Sequence, residues 1–185
     1  GLDWNSSAAQ EIRFAQLARV ISADDAQGGF SLLDYGSGFG PFYDFLRREG
    51  FKPRYTGYDF VPAMVAEGRA LHAGDEACCF IQDFNEAEGV DYAVAGGIFN
   101  IRLERSEVEW QAYVLGILEQ MNRLTGKGFA FNMLTAYSDA EYMKPHLYYA
   151  DPCFYFDLCK RRFSRSVALL HDYGLYDFTI LVRKE

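Results

Sequence analysis

The chain has 185 residues, enough for one domain and too few for two of full size. Half of the residues are hydrophobic and 17% are aromatic, which supports a packed core without disulfide staples and excludes a disordered chain. The formal charge is −8, from 18 basic and 26 acidic residues, which argues against a protein that grips nucleic acid through its phosphates.

Apolar periodicity alternates between two types along the chain. Residues 8–23 predict an amphipathic helix with Ile12, Leu17 and Val20 among its apolar positions, capped from Asn5 to Ser7. Gly28-Gly29 breaks the chain, and FSLLD (30–34) reads as a short strand that runs into the glycine-rich YGSGFG. Pro41 opens a helix over 41–50. A strand (54–59), a helix (61–73) and two strands (77–82 and 91–97) follow. Residues 106–125 form a long helix with Ser106 and Glu109 spaced as a capping box, and after a GKG turn comes a fifth strand, 129–134. Strands alternating with helices at this spacing predict a parallel sheet covered on both faces.

The tail differs. Residues 135–150 show no clean period. Residues 151–163 form a helix with Asp151 as N-cap and Pro152 at its first position. Strands at 166–171 and 175–184, joined through Asp172-Tyr173-Gly174, predict a closing hairpin with one antiparallel strand. With no repeat or low-complexity linker, residues 1–185 read as one domain, with 1–28 as an N-terminal cover.

The sharpest signal is Leu32-Leu33-Asp34-Tyr35-Gly36-Ser37-Gly38-Phe39-Gly40. A strand that turns tightly into a helix needs glycine, and bare backbone lets a ligand approach closely. The glycines fall as Gly-x-Gly-x-Gly, and Pro41 stands where a dinucleotide fingerprint wants its third glycine, which disfavours a nicotinamide enzyme. No Gly-Lys-Ser/Thr follows, so a Walker A loop is excluded. The second strand ends in Asp59-Phe60, 19 residues after Gly40, where a carboxylate can accept from both hydroxyls of a ribose. The third ends in Asp83-Phe84, a carboxylate and an aromatic on the same rim. Each acid alone reads as a solvated loop residue; three at successive strand ends, one beside a glycine loop, point to a ligand at that rim.

These residues resemble the class I S-adenosylmethionine-dependent methyltransferases. LLDYGSGFG is similar to their first motif, YTGYDF to the second and FIQDF to the third; the resemblance covers about 30–185. It implies a Rossmann-like, doubly wound α/β fold of seven strands in the order 3-2-1-4-5-7-6, the last antiparallel. It also implies S-adenosyl-L-methionine as cofactor. Asp34, Gly36 and Gly38 would lie around the methionine moiety, and Tyr35 and Ser37 in the same loop and Gly96 after the fourth strand would also bind the cofactor. Asp59 would take the ribose, Phe60 the adenine face, and Asp83 and Phe84 the adenine edge. Such a cofactor carries a sulfonium and no phosphate, so acids and backbone suffice to hold it.

The acceptor is less legible. Enzymes that methylate base amines carry Asn/Asp-Pro-Pro-aromatic after the fourth strand, and this chain has Ala95-Gly96-Gly97-Ile98-Phe99-Asn100; the Pro-Cys of cytosine C5 enzymes is absent too. A small-molecule O or N acceptor is therefore expected, with RNA or protein methylation, or cofactor binding without turnover, as the alternatives. Asn100 can orient an acceptor or cap a turn. His146 and His171 are the candidate bases, either of which can instead be structural, and His72 reads as a surface cap. Arg13, with Gln10 on the leading helix, can bind the methionine carboxylate or stay solvated. Segment 135–150, with Tyr137, Tyr142, His146, Tyr148 and Tyr149, either forms an acceptor-side wall or packs the last helix. Cys78, Cys79, Cys153 and Cys159 form no Cys-x-x-Cys and no metal triad stands out, so reduced thiols in the cytoplasm are expected. No apolar run reaches the ~18 residues of a membrane span, the first residues are too polar for a signal peptide, and native residues can precede Gly1. Oligomeric state is not readable.

Overall fold

The computed structural model describes residues 6–184. Helix α1 (Ser7–Ala18) and helix α2 (Ala23–Gln27) precede strand β1 (Gly29–Tyr35). Helix α3 (Pro41–Arg48), strand β2 (Lys52–Tyr58), helix α4 (Pro62–Leu71), strand β3 (Cys78–Ile81) and strand β4 (Val90–Ala95) follow. The long helix α5 (Glu107–Leu124) runs directly into strand β5 (Thr125–Leu134), and helix α6 (Pro152–Arg162), strand β6 (Ser166–Leu170) and strand β7 (Asp177–Arg183) close the chain. One seven-stranded sheet results, in the order β3-β2-β1-β4-β5-β7-β6. Strand β7 runs antiparallel to both of its neighbours, and the other pairings are parallel.

The sheet is buried on both faces because its central strands carry nearly continuous apolar runs, such as YAVA in β4, FAF in β5 and ILV in β7. Leu32 and Phe30 face a layer with Leu17, Phe42, Leu46 and Val65 from α1, α3 and α4. Leu33 faces the other layer, with Trp110, Val114 and Leu118 of α5 and Tyr155 of α6. Register then fixes the rim: Tyr35 pairs with Tyr58, and Tyr58 with Ile81, so the carboxyl ends of β1, β2 and β3 are level.

Three local expectations change. The helix expected over 8–23 is two helices. The N–H groups of Arg19, Val20 and Ile21 bond three residues back, tightening the last turn, and Ser22 then caps α2 through a bond from Asp25 N–H. The GKG of 126–128 is not a turn but part of β5, which starts at Thr125 and pairs with β4 across a register shift. His72 does end α4, but its side chain is only 8% exposed and bridges Gly68 O to the Asp44 carboxylate on α3. The expected caps Ser106 and Asp151 are in place, while Asn5 lies outside the described residues. Among the described residues no helix is long and apolar enough to cross a membrane.

Candidate active site

The glycine loop is tied to the end of β2. Gly36 N–H and Ser37 N–H both donate to Tyr58 O, at 2.8 and 2.9 Å. Gly36 and Gly38 have φ of +81° and +56°, backbone that side chains seldom adopt. The two differ in what a side chain would meet. A Cβ on Gly36 would collide with Ile98 Cγ2, whereas one on Gly38 would point into open space.

That space is a cleft of about 590 Å³, lined in part by Gly38, Asp59, Phe60, Met64, Ile98 and Tyr113. Asp59 is 9% exposed and holds two backbone donors, Gly38 N–H on Oδ2 and Val61 N–H on Oδ1, each at 2.9 Å. Both oxygens keep lone pairs for further donors. Phe60, 77% exposed, stands on the rim. Tyr35 and Tyr58 form the floor, their rings in edge contact at 5.0 Å.

Two smaller cavities adjoin the cleft. One, of about 210 Å³, lies between the loop and α1 and touches Gln10, Phe14, Asp34, Ser37 and Gly96. Asp34 is buried there and accepts from Tyr55 Oη at 2.6 Å. Burial pushes its carboxyl up to about 7, with the Asp59 charge adding to the rise and the Tyr55 bond opposing it. The other cavity, of about 240 Å³, shares Gly96 and Gly97 with its neighbours and holds Arg13, Asn100, Asn132 and Asp177. Arg13 Nε sits 2.7 Å from Asp177 Oδ2 and Nη2 3.3 Å from Oδ1. Burial raises the Asp177 carboxyl above its ordinary range, and Arg13, then His171, oppose that rise.

Asp34, Tyr35, Gly36, Ser37, Gly38, Asp59, Phe60, Gly96 and Arg13 therefore gather around one connected space. Asp83 and Phe84 do not line it. Asp83 is exposed and caps a short 3-10 turn through Asn85 N–H, and Phe84 backs Tyr35 and Tyr58 from behind, at 5.4 and 5.3 Å. Neither histidine is among the residues that line it. His146 is exposed, its carbonyl accepting from Arg102 N–H and Leu103 N–H. His171 Nε2 is 2.9 Å from Thr135 Oγ1, its ring beside Tyr137 and Phe178. Segment 135–150 divides its tyrosines: Tyr148 is buried with its hydroxyl 2.8 Å from that of Tyr155 on α6, while Tyr137 and Tyr142 are exposed.

No protein-family model matches the chain. Its fold is that of magnesium protoporphyrin IX methyltransferase from Synechocystis, with a TM-score of 0.67 at 13% identity over 96% of this chain and 81% of that one. It is also that of 1,6-didemethyltoxoflavin-N1-methyltransferase from Burkholderia thailandensis, with a TM-score of 0.63 at 20% identity over 98% of this chain and 80% of that one. A Mycobacterium tuberculosis protein, "Putative methyltransferase Rv1506c", is 50% identical over 166 residues, 90% of this chain and 98% of the other. The chain belongs to the class I S-adenosylmethionine-dependent methyltransferases. In this methyltransferase the sequence motifs account for the loop and the carboxylates but not for Met64, Ile98 and Tyr113 in the cleft, nor for Asn132 and Asp177 beside it. Asn132 leaves a trace: it is the one polar residue in the apolar stretch FAFNML.

Proposed function

We propose that the protein transfers a methyl group from S-adenosylmethionine, bound across the cleft and the loop-side cavity, to an oxygen or nitrogen of a small molecule in the cytoplasm. The carrying observation is the open space over Gly38 beside the Asp59 carboxylate and the Phe60 ring. The residues present fit such a cofactor. Gly38 is a cradle that any Cβ would fill, Asp59 has lone pairs to accept from ribose hydroxyls, and Phe60, Met64, Ile98 and Tyr113 offer apolar faces to a flat base. The acidic Asp34 in the loop-side cavity suits a cationic amino-acid end. When bound, S-adenosylmethionine supplies an electrophilic methyl on a sulfonium. The chain's own part is to fix that group against the acceptor and keep water away, because an in-line displacement gains most from alignment. The −8 charge and the absence of a base-amine motif favour a small acceptor over a nucleic acid.

Calorimetric titration with S-adenosylhomocysteine tests the donor site, and methyl-labelled cofactor offered with small hydroxylated and amine acceptors, RNA and protein tests the acceptor class. Saturable binding and label in a small molecule are expected. Label only in RNA or protein would overturn the small-molecule reading, and no binding would overturn the donor site.

A further inference from the structure

The cavity that holds Asn100 and Asn132 has amide donors that the fold itself does not use. Asn132 is 2% exposed and Asn100 7%. Each uses its amide oxygen on a backbone N–H: Asn132 Oδ1 accepts from Gly97 at 2.7 Å, and Asn100 Oδ1 from Leu134 at 3.1 Å. Those bonds fix which way each amide faces, so each NH₂ is turned away from the bond. Among the described residues neither Nδ2 has a hydrogen-bond partner. Nor is either sealed in, since the described side-chain atoms that are both sealed and unpartnered are Arg102 Nε and Asn122 Oδ1. Two buried amide donors thus open onto the same cavity, of about 240 Å³. Water reaches both donors there, and an acceptor atom of a ligand can take its place.

The charges say what kind of ligand. Asp177, 2% exposed, is paired with Arg13, so the cavity is polar and presents charges of both signs. An anion would face the Asp177 carboxylate and a cation the Arg13 guanidinium. A neutral group with a lone pair for the asparagines and a hydrogen for Asp177 meets neither repulsion. Phe14 supplies one apolar wall.

Resting on the methyl-transfer reading above, we propose that this cavity recognises the methyl acceptor through an uncharged hydroxyl or carboxamide, with Asn100 and Asn132 donating to its oxygen and Asp177 accepting its hydrogen. The loop-side cavity with Asp34 is left for the amino-acid end of the donor, and Gly96 and Gly97 form the boundary between the two ligands.

The asparagine side-chain amides report directly in a nitrogen–proton correlation spectrum of the labelled protein. Asn100→Asp and Asn132→Asp assign the two signals, and each keeps an oxygen for its backbone N–H while losing the donor. Benzamide, phenol, benzoate and benzylammonium serve as probes, with and without S-adenosylhomocysteine. Benzamide and phenol should move both amide signals saturably and the charged probes should not, and each variant should weaken benzamide at least tenfold. Homocysteine-product affinity, read by calorimetry, should change less than twofold in the variants. Equal or tighter binding of benzoate, or amides unmoved by either neutral probe, would overturn the proposal. So would a tenfold loss of S-adenosylhomocysteine affinity in the variants, which would give the cavity to the donor instead. If the parent protein fails to bind S-adenosylhomocysteine, the donor reading falls while the probe titrations without it still judge the cavity.

Discussion

Asp59 does two jobs with one carboxylate, closing the glycine loop and the start of α4. Asp59→Ala frees Gly38 N–H and Val61 N–H and removes the acceptor proposed for the ribose. Affinity for S-adenosylhomocysteine should fall by about 1.5–3 kcal/mol, roughly 10- to 150-fold. A calorimetric affinity equal to the parent's would remove the ribose role. Gly38→Val asks a different question. The position has φ of +56° and open space beyond it, so the branched side chain costs some backbone strain but hits only the ligand's volume. The expected outcome is a native circular dichroism spectrum with no measurable S-adenosylhomocysteine binding; normal binding by the folded variant would contradict the cradle. These two positions were legible in the sequence because a glycine loop and a strand-end acid are local patterns. The Arg13–Asp177 pair was not, since its members are 164 residues apart and nothing near either one points to the other. Arg13 read as a cofactor ligand or a solvated residue because only the helix was visible, not the carboxylate above which it lands.

At the scale of elements, one ring packs against both α4 and β2. Phe80 of β3 lies where a Cβ on Gly68 would come within 2.6 Å of its Cε1, and a Cβ on Gly57 within 2.8 Å of its Cδ1. A glycine inside a helix gives up about 1 kcal/mol of propensity against alanine, yet Gly68→Ala should not gain it. The clash with a ring fixed between α4 and the sheet costs about 1–3 kcal/mol, so the variant should be less stable in urea unfolding by on the order of 1 kcal/mol. Adding Phe80→Leu should make the alanine tolerable, giving a favourable coupling in the double-mutant cycle. A stabilised Gly68→Ala single variant would show that the ring moves freely. Strand and helix order was readable because apolar period and caps are short-range, as with Ser106 on α5 and Asp151 on α6. The breaks were harder. Val20 and Ile21 continue the apolar pattern of α1 and are buried, so the pattern hides the turn that Ser22 makes possible. Gly126 and Gly128 look like a turn, but their strand is held by pairing with β4 and β7, which no local signal records.

Across the whole molecule, acids tied by hydrogen bonds and one buried acid couple the fold to pH in opposing directions. Asp25 and Asp75 are held below the ordinary carboxylate range, first of all by Tyr92 and Tyr43 hydroxyls, so their contributions exist above that range and are lost as pH falls. Asp34 works the other way. Burial raises it from 3.8 to about 7, so between those values the native chain keeps a proton that the unfolded chain has released. Its contribution is fully present below the unfolded value and is lost as pH rises through the folded one, with a slope of at most about 1.4 kcal/mol per pH unit. Asp34→Asn keeps an oxygen for the Tyr55 hydroxyl and deletes the titration. The variant should therefore gain stability on the parent as pH rises from about 5 to about 8 in denaturant unfolding, whereas parallel curves would show that the site titrates elsewhere. The same charge bears on the ligand. A cationic group entering the loop-side cavity favours the ionised carboxylate, so binding near neutral pH should release a proton. Calorimetry of S-adenosylhomocysteine in two buffers of different ionisation enthalpy reads that proton, and it should vanish in Asp34→Asn; an identical buffer dependence in parent and variant would place the cation away from Asp34.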